Sequence, residues 1–301
     1  MSKTKEGELN FVTEEKLNQE IFNDSYADCK LGYYKTEGEL YLLRNLSEAE
    51  VREIIKANLR IYDFHFYNRR INEMNNNLDD YFKTFYLYEE KIKNNSAKDI
   101  TTEFKEEVFI ETNRRLISFL ASMKNLIEDL RNKWFRKGTT EWEEFNKFAG
   151  NIFDSYFAYR FFNKLRDYSL HSNFPIQVVS MSFDKNSDSG KLEVLFDKSI
   201  LLTNESFSSS YITQPLEDFA DRFPVNDLLF QLQEPLGKVI DNFYSMEKTE
   251  ISNCIAIIEK YQSEVPKNNI GLVFKDTGKS SNKGFYLPTQ ATKILKTKFN
   301  T

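Results

Sequence analysis

Apolar side chains recur at helical intervals over residues 102–133, a stretch that contains no glycine or proline. They follow one another three or four positions apart: Leu116, Leu120, Met123, Ile127 and Leu130. Because an α-helix turns once in about 3.6 residues, these steps place the side chains on one face. The pattern predicts a long amphipathic helix over residues 102–133.

A second helical pattern runs from about Trp142 to Ser172. Its large apolar residues stand four apart: Phe153, Phe157, Phe161 and Leu165. Proline disfavours helix at the residue before it, so we expect the helix to end before the Phe174-Pro175 pair. We expect it to bend or divide near Gly150, and to pack antiparallel against the helix at 102–133 with a shared apolar core.

Two segments predict β-hairpins. Near the N-terminus, two short runs of Leu and Tyr flank residues 36–39, a four-residue connection that contains glycine. In the second half of the chain, residues 178–183 and 192–196 surround a loop of Ser, Asn, Asp and Gly at 184–190. Extended runs around such turns are typical of hairpins. Residues 271–274 are predicted to form one more strand, ahead of a basic tail.

Helical patterns also occur outside residues 102–172. Ser47 and Glu50 form a capping box, so a helix should begin there. We expect an asparagine-rich interruption at residues 75–77 before a second helical run. Helical character returns over residues 226–264, where we expect an interruption at Pro235.

These elements predict a mainly α fold with small β-hairpin additions at the N-terminal and C-terminal sides. Four regions follow along the chain: a flexible segment at 1–20, a hairpin and helices at 21–100, core helices at 101–175, and a hairpin, helices and tail at 176–301.

Composition narrows the function classes. The net charge of −5 argues against a protein that coats nucleic acid, so any contact with RNA must be local. Only two cysteines occur, far apart at Cys29 and Cys254, which favours neither a disulfide framework nor a Cys-rich zinc site. The sequence has no stretch apolar enough for a membrane span, and we expect a soluble, cytoplasmic protein.

The chain has only two histidines, His65 and His171, and histidine is the side chain best suited to proton transfer at neutral pH. His65 stands among aromatic residues and is expected to be a packed histidine. His171 closes a polar series, because Asn163, Asp167 and His171 step by four and so lie on one helix face. There the Asp167 carboxylate can orient the imidazole and favour its protonated form.

Arg166 adds a fixed positive charge beside this face. A histidine that takes the proton of a ribose 2′-hydroxyl, with a guanidinium that stabilises charge on the attacked phosphate, is sufficient for RNA cleavage without a metal. The alternative from spacing alone is structural. Arg166 and Asp167 would then form a surface salt bridge, and His171 would be a favourable cation at a helix C-terminus.

The run FAYRFFNKLRDYSLHSNFP over residues 157–175 resembles the signature helix of bacterial HEPN-domain proteins, whose motif is Arg, four to six residues beginning with a polar one, then His. Here four residues intervene, and the first is Asp167. The run ETNRRLISFLAS over residues 111–122 resembles the partner helix of such proteins. The resemblance covers residues 102–175. Close relatives often carry Asn after the Arg, so Asp167 is a departure.

The resemblance implies a helical bundle, a metal-independent endoribonuclease that leaves a 2′,3′-cyclic phosphate, and often a toxin or a role in phage defence. It implies no cofactor, and it implies a homodimer whose paired motifs form one site, because one copy lacks a second histidine as acid. A neutralising antitoxin or a phage trigger would be a further partner. The expected catalytic residues are Arg166, Asp167 and His171, with Asn113, Asn163 and Tyr168 in support.

Asn113 tends toward the buried face of its helix, where it could hold Arg166 or His171, or make a local hydrogen bond. Weaker expectations for phosphate contacts fall on five basic residues: Arg114, Arg115, Lys133, Arg136 and Lys137. A rival function is a HEPN-fold binding or scaffold protein that uses the motif for dimerisation or a nucleotide contact. The DTGKS run at residues 276–280 lacks the earlier glycine of a phosphate-binding loop and is expected to be a turn.

Overall fold

The computed structural model describes residues 26–34, 39–171, 173–183, 190–275 and 283–299, apart from the side chains of residues 170, 171, 206 and 283. This part of the chain is mainly α-helical with two small antiparallel sheets, which confirms the expected fold class at that level. It divides into two compact units, residues 1–68 with 246–301 and residues 69–245. The expected flexible segment at 1–20 and the expected turn at 276–280 lie outside the described residues.

The described elements follow in chain order. The helices are α1 (Glu48–Lys93), α2 (Thr102–Asp129), α3 (Thr140–Ser155), α4 (Phe157–His171), α5 (Lys198–Leu202), α6 (Ser210–Glu217), α7 (Val225–Ser263) and α8 (Thr289–Phe299). The strands are β1 (Cys29–Tyr34), β2 (Leu40–Asn45), β3 (Val178–Phe183), β4 (Gly190–Asp197), β5 (Arg222–Pro224), β6 (Gly271–Lys275) and β7 (Lys283–Tyr286). Among these residues, no helix combines the length and apolar character needed to cross a membrane.

The first unit contains an antiparallel sheet with the strand order β2-β1-β6-β7. The predicted hairpin of β1 and β2 and the predicted strand β6 are confirmed. The predicted basic tail, in contrast, contains the helix α8. Its apolar residues Ala291, Leu295 and Phe299 step by four and are buried, a pattern that sequence reasoning overlooked.

The helix α1 begins at the predicted capping box. The Ser47 amide donates to Glu50 Oε2 at 2.8 Å, and the Glu50 amide donates to Ser47 Oγ at 3.3 Å. Arg44 and the hydrogen bonds that the Ser47 amide and hydroxyl donate to the Glu50 carboxylate lower the pKa of Glu50 to about 2, because they stabilise its charged form.

The predicted interruption of α1 at residues 75–77 is wrong. Burial of Met74 and Leu78 on either side holds the segment helical. Asn77 has a partner that sequence reasoning did not foresee, since its Nδ2 donates to Ser122 Oγ on α2 at 3.1 Å. Tertiary contacts thus outweigh the low helix propensity of asparagine.

In the second unit, α2 continues through a π-helical turn, Leu130–Trp134, which confirms the predicted long helix. The antiparallel packing of α2 on the 142–172 segment is also confirmed. Asn113 contacts Ile176, just after α4, and Lys124 contacts Asp167 within α4. Residue numbers therefore rise along α2 in the direction in which they fall along α4.

The expected shared core is largely buried. Leu120, Met123, Ile127 and Phe161 are buried, whereas Phe153 and Phe157 are half-buried. The Phe157 ring packs against Phe161 and against Phe219, which follows α6.

The 142–172 segment divides at Tyr156, six residues after the expected position at Gly150. Tyr156 is extended, with φ −118° and ψ 110°. The guanidinium of Arg160 donates to the carbonyls of Phe153 and Asp154, two groups that lose helical partners where α3 ends. An arginine therefore stabilises the break, while Gly150 remains within α3.

The second sheet has the antiparallel order β3-β4-β5, and its β3–β4 hairpin confirms the prediction. The loop at residues 184–189 lies outside the described residues. The helix α7 runs without a break through Pro235, so the predicted interruption there is wrong. Leu232, Leu236 and Val239 are buried around the proline and hold the helix in place.

Candidate active site on α4

Five of the residues expected at the site lie on the helix α4: Asn163, Arg166, Asp167, Tyr168 and His171. It begins after the break at Tyr156 and ends at His171. Only the backbone of His171 is described, and it closes the last helical turn. Asp167 and His171 stand one turn apart, as their spacing requires.

Arg166, Asp167 and Lys124 form a row of alternating charge. Arg166 Nη1 lies 3.3 Å from Asp167 Oδ1, and Lys124 Nζ on α2 lies 3.5 Å from Asp167 Oδ2. The three side chains are 21%, 34% and 19% exposed. Asp167 therefore stands between two cations, and its negative charge is offset on both sides.

The guanidinium of Arg166 retains unused hydrogen-bonding capacity. Its Nε is buried and has no hydrogen-bond partner within the described part of the chain. A buried donor of a charged group is costly unless something accepts from it.

Asn163 and Tyr168 face different surroundings. Asn163 donates to the Tyr159 carbonyl at 2.8 Å and lies at a surface cavity. Tyr168 is 2% exposed, its ring packs on Phe207, and burial raises its pKa. Tyr168 therefore belongs to the packed interior, where it holds α4 in position.

Asn113 is fully buried, and its described hydrogen bonds go to backbone groups rather than to Arg166. Its Oδ1 accepts from the Ile176 amide at 2.9 Å, and its Nδ2 donates to the Ile176 carbonyl at 3.1 Å and to the Phe109 carbonyl at 3.0 Å. The side chain thus ties α2 to the backbone that follows α4. It fixes where the chain leaves the motif helix.

The five basic residues expected to contact phosphate do not gather at the motif. Arg114 pairs with Glu111 on its own helix, Arg115 pairs with Asp80, and Lys133 pairs with Asp129. Arg136 and Lys137 are exposed in the connection that precedes α3. None of the five lines the cavity beside Asp167.

The motif helix opens onto a surface cavity of about 280 Å³, here called the α4 cavity. Its lining comes from α2, the π-helical turn, α3 and α4: Lys124, Ile127, Arg131, Ala149, Gly150, Phe153, Asp154, Tyr159, Asn163, Lys164 and Asp167. Burial raises the pKa of Tyr159 to about 12, so its phenol is neutral at physiological pH.

Three cations of the α4 cavity were missed by sequence reasoning: Lys124, Arg131 and Lys164. Lys124 and Arg131 stand seven apart and on one side of α2, which is the only sequence signal that joins them. Lys124 is compensated by Asp167 and by Glu128 at 3.6 Å. Within the described chain, no carboxylate lies within ion-pairing distance of Arg131 or Lys164.

The described residues contain no group of three or more His, Cys, Asp or Glu placed to hold a metal ion. Comparison of the chain with protein-family models, with curated proteins and with solved structures found no match.

Proposed function

We propose that this chain is a metal-independent endoribonuclease of the HEPN type, in which Arg166, Asp167 and His171 form the reacting site. The observation that carries the proposal is the position of Asp167, the ion-pair partner of Arg166, in the lining of a cavity that also contains Lys124, Arg131 and Lys164. A polyanion such as RNA needs local positive charge on a chain of net charge −5. Arg131 and Lys164 supply it in the cavity that Asp167 lines.

The chemistry follows from the residue types. His171 accepts the proton of a ribose 2′-hydroxyl, and the 2′-oxygen attacks the adjacent phosphorus. The bond from phosphorus to the 5′-oxygen breaks, and that oxygen takes a proton from an acid, which leaves a 2′,3′-cyclic phosphate and a free 5′-hydroxyl. Arg166 stabilises the charge that grows on the phosphoryl oxygens.

One motif contains a single histidine, so a second copy completes the set. In a two-fold dimer joined at the ends of the α4 helices, His171 of one protomer acts as base and the same residue of its partner as acid. This arrangement suits a toxin or phage-defence effector whose activity depends on assembly.

A non-catalytic scaffold of the same fold is the second candidate. The ion pair of Arg166 with Asp167 favours it, because a compensated arginine can simply hold the helix end. The two candidates differ in whether His171 changes a reaction rate.

RNA cleavage in EDTA tests the proposal. Purified protein should cleave single-stranded RNA and leave cyclic phosphate ends. His171→Ala should lower the cleavage rate by a factor of roughly 10² to 10⁴. Arg166→Lys should be severely impaired, because an ammonium lacks the two-pronged contact of a guanidinium with phosphate. RNA with a 2′-deoxy sugar at the cleaved position should survive.

The matched control is His65→Gln, which alters the only other histidine, a buried residue of the first unit. Its cleavage rate should match wild type once circular dichroism shows an unchanged fold. Cleavage that persists in His171→Ala, or that needs magnesium, would contradict the mechanism. Growth inhibition by wild type and not by His171→Ala would place the activity in cells.

A further inference from the structure

The α4 cavity has two chemically different walls. The charged lining combines the cations Lys124, Arg131 and Lys164 with the carboxylates of Asp154 and Asp167, whereas Ile127, Ala149, Phe153 and Tyr159 present apolar and aromatic surface. Its volume of about 280 Å³ lies just below the range of about 300 to 1,000 Å³ that is usual for small-ligand pockets. The space therefore suits one small ligand with an anionic end and a flat ring, and it is too small for a folded RNA segment.

Arg131 is fixed in place by α3 rather than by an acidic partner. It belongs to the π-helical turn, where its carbonyl accepts from Trp142 Nε1 at 2.9 Å. Its Nε donates to Asn146 Oδ1 at 2.7 Å, and Asn146 is itself held by a bond from Nδ2 to the Trp142 carbonyl at 2.9 Å. These neutral bonds orient the guanidinium without consuming its charge.

A preorganised, uncompensated arginine is suited to bind an oxyanion, and phosphate is the oxyanion that a guanidinium matches best. Lys164 adds a second cation on α4. π-Helical turns often occur at functional sites. Here Arg131 belongs to such a turn and lines the cavity beside the motif.

We propose that the α4 cavity binds one nucleoside phosphate, with the phosphate at Arg131 and Lys164 and the base against Phe153. The choice of a nucleoside rests on the proposed ribonuclease function, whose Asp167 shares the cavity. Two sources can supply this nucleoside phosphate: the nucleotide of the RNA substrate next to the cleaved linkage, or a free nucleotide.

Gly150 offers a direct way to close the site. It lines the cavity, and a Cβ built on it meets nothing within 4 Å. Gly150→Leu should therefore fill the cavity without disturbing the helix. Gly237 on α7 is a matched control in the same unit, since it is also helical, also half-buried and also meets nothing within 4 Å, and it does not line the cavity.

The experiment is titration calorimetry of the full chain with the four nucleoside 5′-monophosphates and with inorganic phosphate, in EDTA. At least one monophosphate should bind more tightly than inorganic phosphate. Gly150→Leu should weaken it by about tenfold or more, and Arg131→Ala should weaken it similarly through loss of a charge-assisted contact. Gly237→Leu should bind like wild type.

Competition separates the two sources. If the ligand is a unit of the substrate, the monophosphate should displace a short RNA from the His171→Ala protein. If it is a free nucleotide, the RNA should bind with unchanged affinity while the cavity is occupied. Equal affinity of Gly150→Leu and wild type, or binding no tighter than that of inorganic phosphate, would overturn the proposal.

Failure of this inference is distinguishable from failure of the proposed function. Monophosphate binding without any RNA cleavage would contradict the proposed ribonuclease function and would still support the nucleoside phosphate site. Cleavage that depends on His171, with no monophosphate binding and an unchanged KM in Gly150→Leu, would remove the cavity assignment alone.

Discussion

At the scale of single residues, the carboxylate of Asp167 acts on two sides. It offsets Lys124 and Arg166, and it stands one turn before His171. A carboxylate near a phosphate lowers affinity by repulsion, yet the same group can orient an imidazole and stabilise its charged form. Binding and catalysis should therefore respond to its removal in opposite directions.

Asp167→Asn should bind RNA a few-fold more tightly and cleave it about tenfold more slowly or worse, because it removes one anionic partner from Lys124 and one from Arg166 while His171 loses its charged neighbour. Binding is measured with a 2′-deoxy substrate analogue, and kcat with saturating RNA. The control is Glu128→Gln, which removes the other anionic partner of Lys124 and lies outside the cavity. Its kcat should stay at the wild-type value, and a parallel loss of kcat in both variants would refute a role for Asp167 through His171.

The candidate site was only partly predictable from the sequence. The spacing of Asn163, Asp167 and His171 fixes their common helix face, because helical geometry is local. Arg131 and Lys164 look like solvated surface charges in the sequence, as do Arg114 and Lys133. Only the packing of α2 against α3 and α4 decides which cations meet in one cavity.

At the scale of elements, apolar periodicity predicted the long helices, and tertiary contacts set where they end or continue. The interior polar residues of α1 and the proline of α7 suggested breaks, but buried neighbours kept both helices whole. The real break at Tyr156 depends on the Arg160 guanidinium, which reaches back to the end of α3. A side chain that caps carbonyls several residues away leaves no periodic trace in the sequence.

Asn113 joins two such elements, and Asn113→Ala should destabilise the fold by roughly 2 to 5 kcal/mol, since it leaves the amide and the carbonyl of Ile176 buried without their partner. Urea unfolding measures the change. The neighbouring Thr112→Val is the control, because the Thr112 hydroxyl donates only to carbonyls of its own helix, and its removal should cost about 1 kcal/mol or less. Equal losses in the two variants would show that the tie to Ile176 contributes little.

At the scale of the whole molecule, the boundaries between the two compact units fall within α1 and within α7, so one unit is the continuous segment 69–245 and the other combines residues 1–68 with 246–301. The motif, the α4 cavity and Asn113 all belong to the unit of residues 69–245. His65, the second histidine, lies in the other unit. In the proposed mechanism, the second histidine for acid–base catalysis is His171 of another copy of the chain, in a symmetric position.

Mixing experiments can detect a shared site. If two His171 side chains act in one cleft, a wild-type subunit paired with a His171→Ala subunit is inactive. After unfolding and refolding of an equal mixture, random pairing leaves only about half of the wild-type subunits in wild-type dimers, so the activity per wild-type subunit should fall to about half. A larger excess of His171→Ala should suppress it further, and dilution of wild type should lower specific activity in step with dissociation seen by ultracentrifugation. Activity that stays proportional to the wild-type subunits alone would mean that one chain holds a complete site.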